Sequence, residues 1–183
     1  IKKNHKYARI ALIWIFGYMA LGFIQRENAI DLGRLLAEGR GHNIIRIDAK
    51  PSFANILVWK IVYETKEKFY VDAVRAGISP KIFEGNSLLK LDVKRDFAWL
   101  DPKSQQAKDI KRFSWFSNGY VAVDPVQLNS IIDVRFSTVP NEIKALWAIK
   151  LSKNYTSKSH VIYETSRGNI RLSFKKLYKM LFF

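Results

Sequence analysis

Between Ile10 and Ile24 the chain runs for 15 residues, IALIWIFGYMALGFI, without a charge. A segment like this must be hidden inside a fold or handed to a bilayer. A span needs about 20 apolar residues, whereas buried core helices commonly take about 10–14. Counting back to Tyr7 lengthens the segment to 18 residues, provided Arg9 snorkels toward the headgroups. It is apolar on every face, with Trp14 and Tyr18 inside it rather than at its rim. The residues therefore leave two readings open, a membrane span and a buried core helix. No small-residue cleavage site follows, which disfavours a secretory signal. Lys2, Lys3, Lys6 and Arg9 precede the run, and for an isolated span they place that flank in the cytoplasm and the rest of the chain outside. A start at Ile1 rather than Met reads as a piece of something longer.

The helical spacing continues past the run. Ala29, Leu32, Leu36 and Ile30, Gly33, Ala37 recur at intervals of three and four, with Arg26, Asp31, Arg34 and Glu38 between them. Gly39 and Gly41 then stop the pattern. One long apolar helix is expected over residues 1–41, a last membrane span plus a stalk, with a mixed extramembrane domain over 42–183.

After His42 the period changes to two. Ile44–Asp48, Ile56–Glu64 and Phe69–Arg75 read as strands, with a hairpin at Thr65–Lys68 and a weaker strand at Leu88–Val93. Asp101–Pro102 reads as a cap and first residue of a short helix to about Arg112. Asn118–Gly119 signals a turn. Further strands are expected at Tyr120–Asp124, Ser130–Thr138, Ala145–Leu151, Val161–Glu164 and Ile170–Leu172, the last two flanking a turn at Ser166–Asn169. The fold class is α+β, with helices at the ends of a mostly antiparallel sheet. At the C-terminus Phe174, Leu177, Tyr178, Leu181 and Phe182 share one helix face, and Arg171, Lys175, Lys176 and Lys179 the other. This basic amphipathic helix either packs on the sheet or lies on a membrane surface through Lys175, Lys176 and Lys179.

Composition narrows the function classes. A chain 48% hydrophobic and 14% aromatic is no disordered tail. A mean hydropathy of −0.12 excludes a polytopic membrane protein for these residues. The absence of cysteine removes disulfides, thiolate metal sites and cysteine nucleophiles. Thirty-one Lys and Arg against 16 Asp and Glu give +15, a charge that seeks a polyanion, either anionic headgroups or nucleic acid. Nucleic acid is the weaker choice. Its best support is Lys111-Arg112-Phe113-Ser114-Trp115-Phe116, which reads more simply as core aromatics with exposed cations.

No phosphate loop and no nucleophile elbow occurs. His5, His42 and His160 have no local ligand spacing and read as three solvated histidines, so no metal residue is assigned. Asp92 and Asp96, four apart, read as a solvated charge run rather than a catalytic pair. Asn55 stands in apolar surroundings and is expected to be mostly buried, tying its loop to backbone groups, with Trp59 facing the core. Asp133 and Arg135, two apart on one strand face, can form a solvent-side salt bridge or face a ligand.

The apolar helix, then Pro51, Asn55 and Trp59, are followed by Trp115-Phe116-Ser117-Asn118-Gly119 and Ile132-Asp133-Val134-Arg135. Val139-Pro140-Asn141-Glu142 and Leu146-Trp147-Ala148-Ile149 close the series. In order and spacing these landmarks resemble the C-terminal part of the bacterial membrane-bound metal-dependent hydrolases, a family of inner-membrane proteins. The resemblance implies a multi-span membrane region whose last span is residues 7–24, and a mixed domain outside the bilayer. In that family the histidine motifs thought to hold the metal lie in the N-terminal membrane region. No catalytic residue is therefore carried over. The resemblance implies a divalent metal in the full-length protein, while this chain is expected to hold no cofactor and to be inactive alone. Asn55, Trp59, Asp133, Arg135 and Trp147 match the domain's own signature, as structural or ligand-facing residues. The expected partners are membrane lipid and the missing N-terminal membrane region. The alternative is a non-enzymatic accessory domain that uses its basic surface on lipid or nucleic acid.

Overall fold

The computed structural model describes residues 5–166 and 168–183; Lys2, Lys3 and, within the expected turn Ser166–Asn169, Arg167 lie outside the described residues. The chain opens with one continuous helix, α1 (His5–Gly39). Its two halves have different surroundings. The apolar 18-residue window is 0% buried, so the described residues form no core around that half. From Gln25 onward one stripe, Gln25, Ala29, Ile30, Gly33 and Ala37, packs on a sheet. The second half is thus part of the domain's core rather than a free stalk. Gly33 makes the approach close: a Cβ there would stand 2.8 Å from Ile61 Cγ2 and 2.9 Å from Ile47 Cδ1.

Among the described residues eight strands form two antiparallel meanders, where one sheet was expected. The first comprises β1 (Arg46–Pro51), β2 (Val58–Glu64), β3 (Lys68–Arg75) and β4 (Lys81–Leu89); the second comprises β5 (Val121–Val123), β6 (Ser130–Asp133), β7 (Trp147–Lys150) and β8 (Ile162–Thr165). Alternation along each strand assigns the layers. Trp59, Ile61, Tyr63 and Val74 meet α1. Val62, Phe69 and Val71 point the other way, onto Tyr120, Ala122 and Ile132 of the second sheet. The far face of that sheet, Val121, Ile131 and Ile149, packs on Ile110 and Phe113 of α3 (Gln105–Phe116). The order is helix, sheet, sheet, helix. Every residue of β2 is buried because both of its faces are covered.

Several local expectations shift for identifiable reasons. Leu88–Val93 is not a strand of its own: β4 ends at Leu89, and Asp92 accepts the amides of Lys94 and Arg95 to cap the short helix α2 (Val93–Asp96). Asp101 holds a turn instead of a cap, and Ser104 caps α3 by accepting the Ala107 amide. Ser130–Thr138 does not run on as a strand, because the Asp133 carboxylate accepts the Arg135 amide at 3.0 Å and turns the chain. Ile170–Leu172 is the first turn of the last helix, α4 (Ile170–Phe182), capped by Asn169. β4 carries a bulge: Glu84 and Gly85 stand opposite Asp72 alone, whose carboxylate accepts the Gly85 amide at 2.9 Å.

Candidate functional site

At the open end between the sheets, under α4, lies a cavity of about 510 Å³. Pro51, Phe53, Phe136, Leu146, Phe174 and Leu177 give it apolar walls, while Lys50, Lys60 and Arg135 supply cations; no carboxylate is among its lining residues. The turn after β6 builds its cationic corner. The Asp133 side chain is fully buried and Arg135 is 12% exposed. The Arg135 guanidinium donates to Asp133 Oδ2 at 2.6 Å and Oδ1 at 3.0 Å, and to the Phe116 carbonyl at 3.1 Å. The expected solvent-side salt bridge is therefore a buried one, formed across a turn rather than on a strand face. These bonds use Nε and Nη2; Nη1 makes none among the described residues. Arg135 and Lys50 both stand over the Phe136 ring, 5.2 and 5.8 Å from its centroid. Trp147 meets that ring edge-on at 4.9 Å.

Lys60 is the residue that sequence reasoning missed. It occupies an inward position of β2 and is 3% exposed. Its ammonium donates to Ser137 Oγ at 2.9 Å, the Glu142 carbonyl at 2.9 Å and the Pro140 carbonyl at 3.2 Å, so all three protons are used. Burial pushes its pKa down to about 7, against the opposing charges of Asp133, Glu142 and Asp72. The signal in the sequence is a lysine in phase with Val58 and Val62 on the buried face.

The landmark segments thus partly converge. Pro51, Arg135, Pro140 and Leu146 reach the cavity, and Trp147 braces Phe136. Asn55 is neither fully buried nor exposed. It holds the 51–57 loop by donating to Ser52 Oγ at 2.6 Å and accepting the Leu57 and Val58 amides at 3.0 and 2.8 Å. Trp59 is buried, but on the α1 face of the sheet, away from the cavity.

Other expectations need correction. His42 Nδ1 meets the Tyr63 hydroxyl at 2.9 Å, and its ring lies 4.3 Å from that of Tyr70, so it is not simply solvated. His160 is exposed, as expected, and its Nδ1 also meets the buried Asp109 at 2.8 Å. Burial would raise the Asp109 carboxyl, but bonds from Gln105, the Val161 amide and His160 together hold it below the usual range. Asp96 pairs with Arg95 and accepts the Asp92 amide, a structural use of both carboxylates. Of the aromatics near Arg112 only Phe113 is core; Trp115 and Phe116 are exposed. On α4 the packed stripe is Leu177 and Met180, while Phe174, Tyr178 and Phe182 form a second, exposed stripe. Lys176 pairs with Glu142, whereas Lys175 and Lys179 make no ion pair among the described residues.

The cavity lies at the end of the sandwich where the apolar half of α1 leaves it. The 51–57 loop meets α1 at Gly22, where an added Cβ would lie 3.9 Å from Ile56 Cγ2. The 76–80 loop meets it at Gln25 through Gly77. Arg75 donates to the Leu181 carbonyl at 3.1 Å and Lys81 to that of Phe183, which brings the end of α4 alongside. Around this exit Phe53, Leu57, Ile78, Phe182 and Phe183 are exposed.

Among the described residues, no group of three His, Asp or Glu is placed to hold a metal ion. Comparison with protein-family models, with curated proteins and with solved structures finds no match to this chain.

Proposed function

We propose that this chain is the C-terminal domain of a membrane-bound metal-dependent hydrolase of the bacterial inner membrane. The first half of α1 spans the bilayer, and the metal and catalytic groups lie on residues that precede it. The observation that carries the reading is the bare apolar half of α1, leaving the fold at an end ringed by exposed Phe53, Leu57, Ile78, Phe182 and Phe183. An apolar rim of this kind suits the interface of a bilayer, and Lys175 and Lys179, without an ion pair among the described residues, suit its anionic headgroups. The meeting of Pro51, Arg135, Pro140 and Leu146 at one cavity gives the order of landmarks a spatial meaning. In this arrangement the domain caps the membrane region or shapes the path of substrate to it.

Elemental analysis tests the assignment on two proteins purified in detergent, this chain and the same chain extended upstream. One divalent ion on the extended protein and none on this chain is the expected result. A stoichiometric ion held here through His42 or His160 overturns it. The cationic cavity favours a second reading, an accessory domain that binds an anion, and absence of metal from both proteins would support that one.

A further inference from the structure

The cavity under α4 joins three features that the seating on a membrane does not by itself require. Its walls are apolar, its charged lining groups are all cationic, and its mouth is framed by Phe53 and Phe174, whose rings meet edge-on at 5.4 Å. Its volume of about 510 Å³ lies in the range of small-molecule sites. Lys60 spends every proton on the protein. Arg135 does not: both protons of its Nη1 make no hydrogen bond among the described residues. Among the described residues Lys50 has one polar partner, Asp48 at 2.9 Å, which leaves two of its protons without one. A guanidinium held by Asp133 and the Phe116 carbonyl on the wall of an apolar chamber, with Nη1 unbonded among the described residues, suits a phosphate oxygen.

We propose that the cavity takes one acyl chain of an anionic phospholipid, with its phosphate on Arg135 Nη1 and Lys50. The source is the bilayer itself, because Phe53 sits on the loop that meets α1 at Gly22, beside the last apolar residues of the run. Phe53 and Phe174 would part to admit the chain. This rests on the membrane seating proposed above, and the two fail separately.

Native mass spectrometry of the whole chain in detergent micelles, with added dioleoylphosphatidylglycerol, dioleoylphosphatidylcholine or inorganic phosphate, makes the test. One phosphatidylglycerol per chain should be retained about tenfold more tightly than phosphatidylcholine. Ser173→Trp, which fills the cavity from α4, should abolish that preference. Lys50→Gln should reduce it with the walls intact, which keeps the test decisive if the tryptophan variant does not fold. Equal retention of the two lipids, or preference unchanged in folded variants, overturns the proposal and leaves lipid along α1 only. Displacement of the lipid by millimolar inorganic phosphate also overturns it, in favour of a free-phosphate site. Release of the chain from membranes by alkaline extraction would instead overturn the seating.

Discussion

Lys60 sits between Val58 and Val62 on a face where alternation asks for an apolar side chain. Its three acceptors make it a clamp between β2 and the 137–142 segment, and Lys60→Met should leave two carbonyls and a hydroxyl without a donor. An unmade buried bond costs about 1–3 kcal/mol, which for a chain of this length lowers the melting temperature by about 2–4 °C per kcal/mol. The pH dependence has a definite sign. Its pKa near 7 lies below the ordinary lysine value, so above neutrality the unfolded chain holds a proton that the folded one lacks. Stability should therefore rise from about pH 7 toward about pH 10, and denaturant titrations should show that slope reduced in Lys60→Met. Asn55→Leu should also lower the melting temperature, since the Leu57 and Val58 amides lose their acceptor; an unchanged value would remove Asn55 from the structural role. The loop-tying use of Asn55 was legible because an amide among apolar residues needs partners nearby. The burial of Asp133 and Arg135 was not, because it depends on a turn that the Asp133 side chain itself creates.

Elements rich in branched and aromatic residues declared themselves, and those that depend on a neighbour did not. β2 and β3 fall where Val, Ile, Tyr and Phe alternate, within a residue or two of their expected bounds. β4 was missed because Glu84, Gly85, Asn86 and Ser87 have no strand preference of their own. It forms because Gly85 permits the bulge: a Cβ there would lie 2.1 Å from the Val71 carbonyl oxygen and 2.3 Å from that of Asn141. Both obstacles are backbone, so Gly85→Ala should destabilise the fold by about 1–3 kcal/mol, measured by denaturant unfolding, a cost typical of overpacking. α4 shows how an amphipathic pattern can name a helix and still misplace its packed stripe. The sequence grouped Phe174, Tyr178 and Phe182 with Leu177 as one face, whereas the cleft between the sheets admits only Leu177 and Met180 fully. Removing residues 170–183 should weaken sedimentation with phosphatidylglycerol vesicles more than with phosphatidylcholine vesicles. Equal loss from both would assign the helix to packing alone.

At the scale of the molecule, the α+β class and the antiparallel connections followed from the alternation of strands and turns. The stacking of two sheets did not. A strand covered on both faces loses its polar phase, and β2 with neighbours on each side reads the same in one thick sheet or two. The direction of α1 was likewise undecided by length, and it is the absence of any covering layer over residues 7–24 that distinguishes its halves. Given Lys6 and Arg9 before the run, alkaline phosphatase fused after Phe183 of this chain should be active, as expected for a domain outside the cytoplasm. Activity only of a cytoplasmic reporter would reverse the orientation. One mechanical consequence follows from α1 itself. Its 35 residues contain no proline, extend for about 52 Å, and are keyed to the sheet at Gly33 without a joint between the halves. Bilayers of different thickness impose different tilts on a span. In the seating proposed above, a helix continuous between its halves would pass such a tilt into the sheets, and the domain would lean like the arm of a lever.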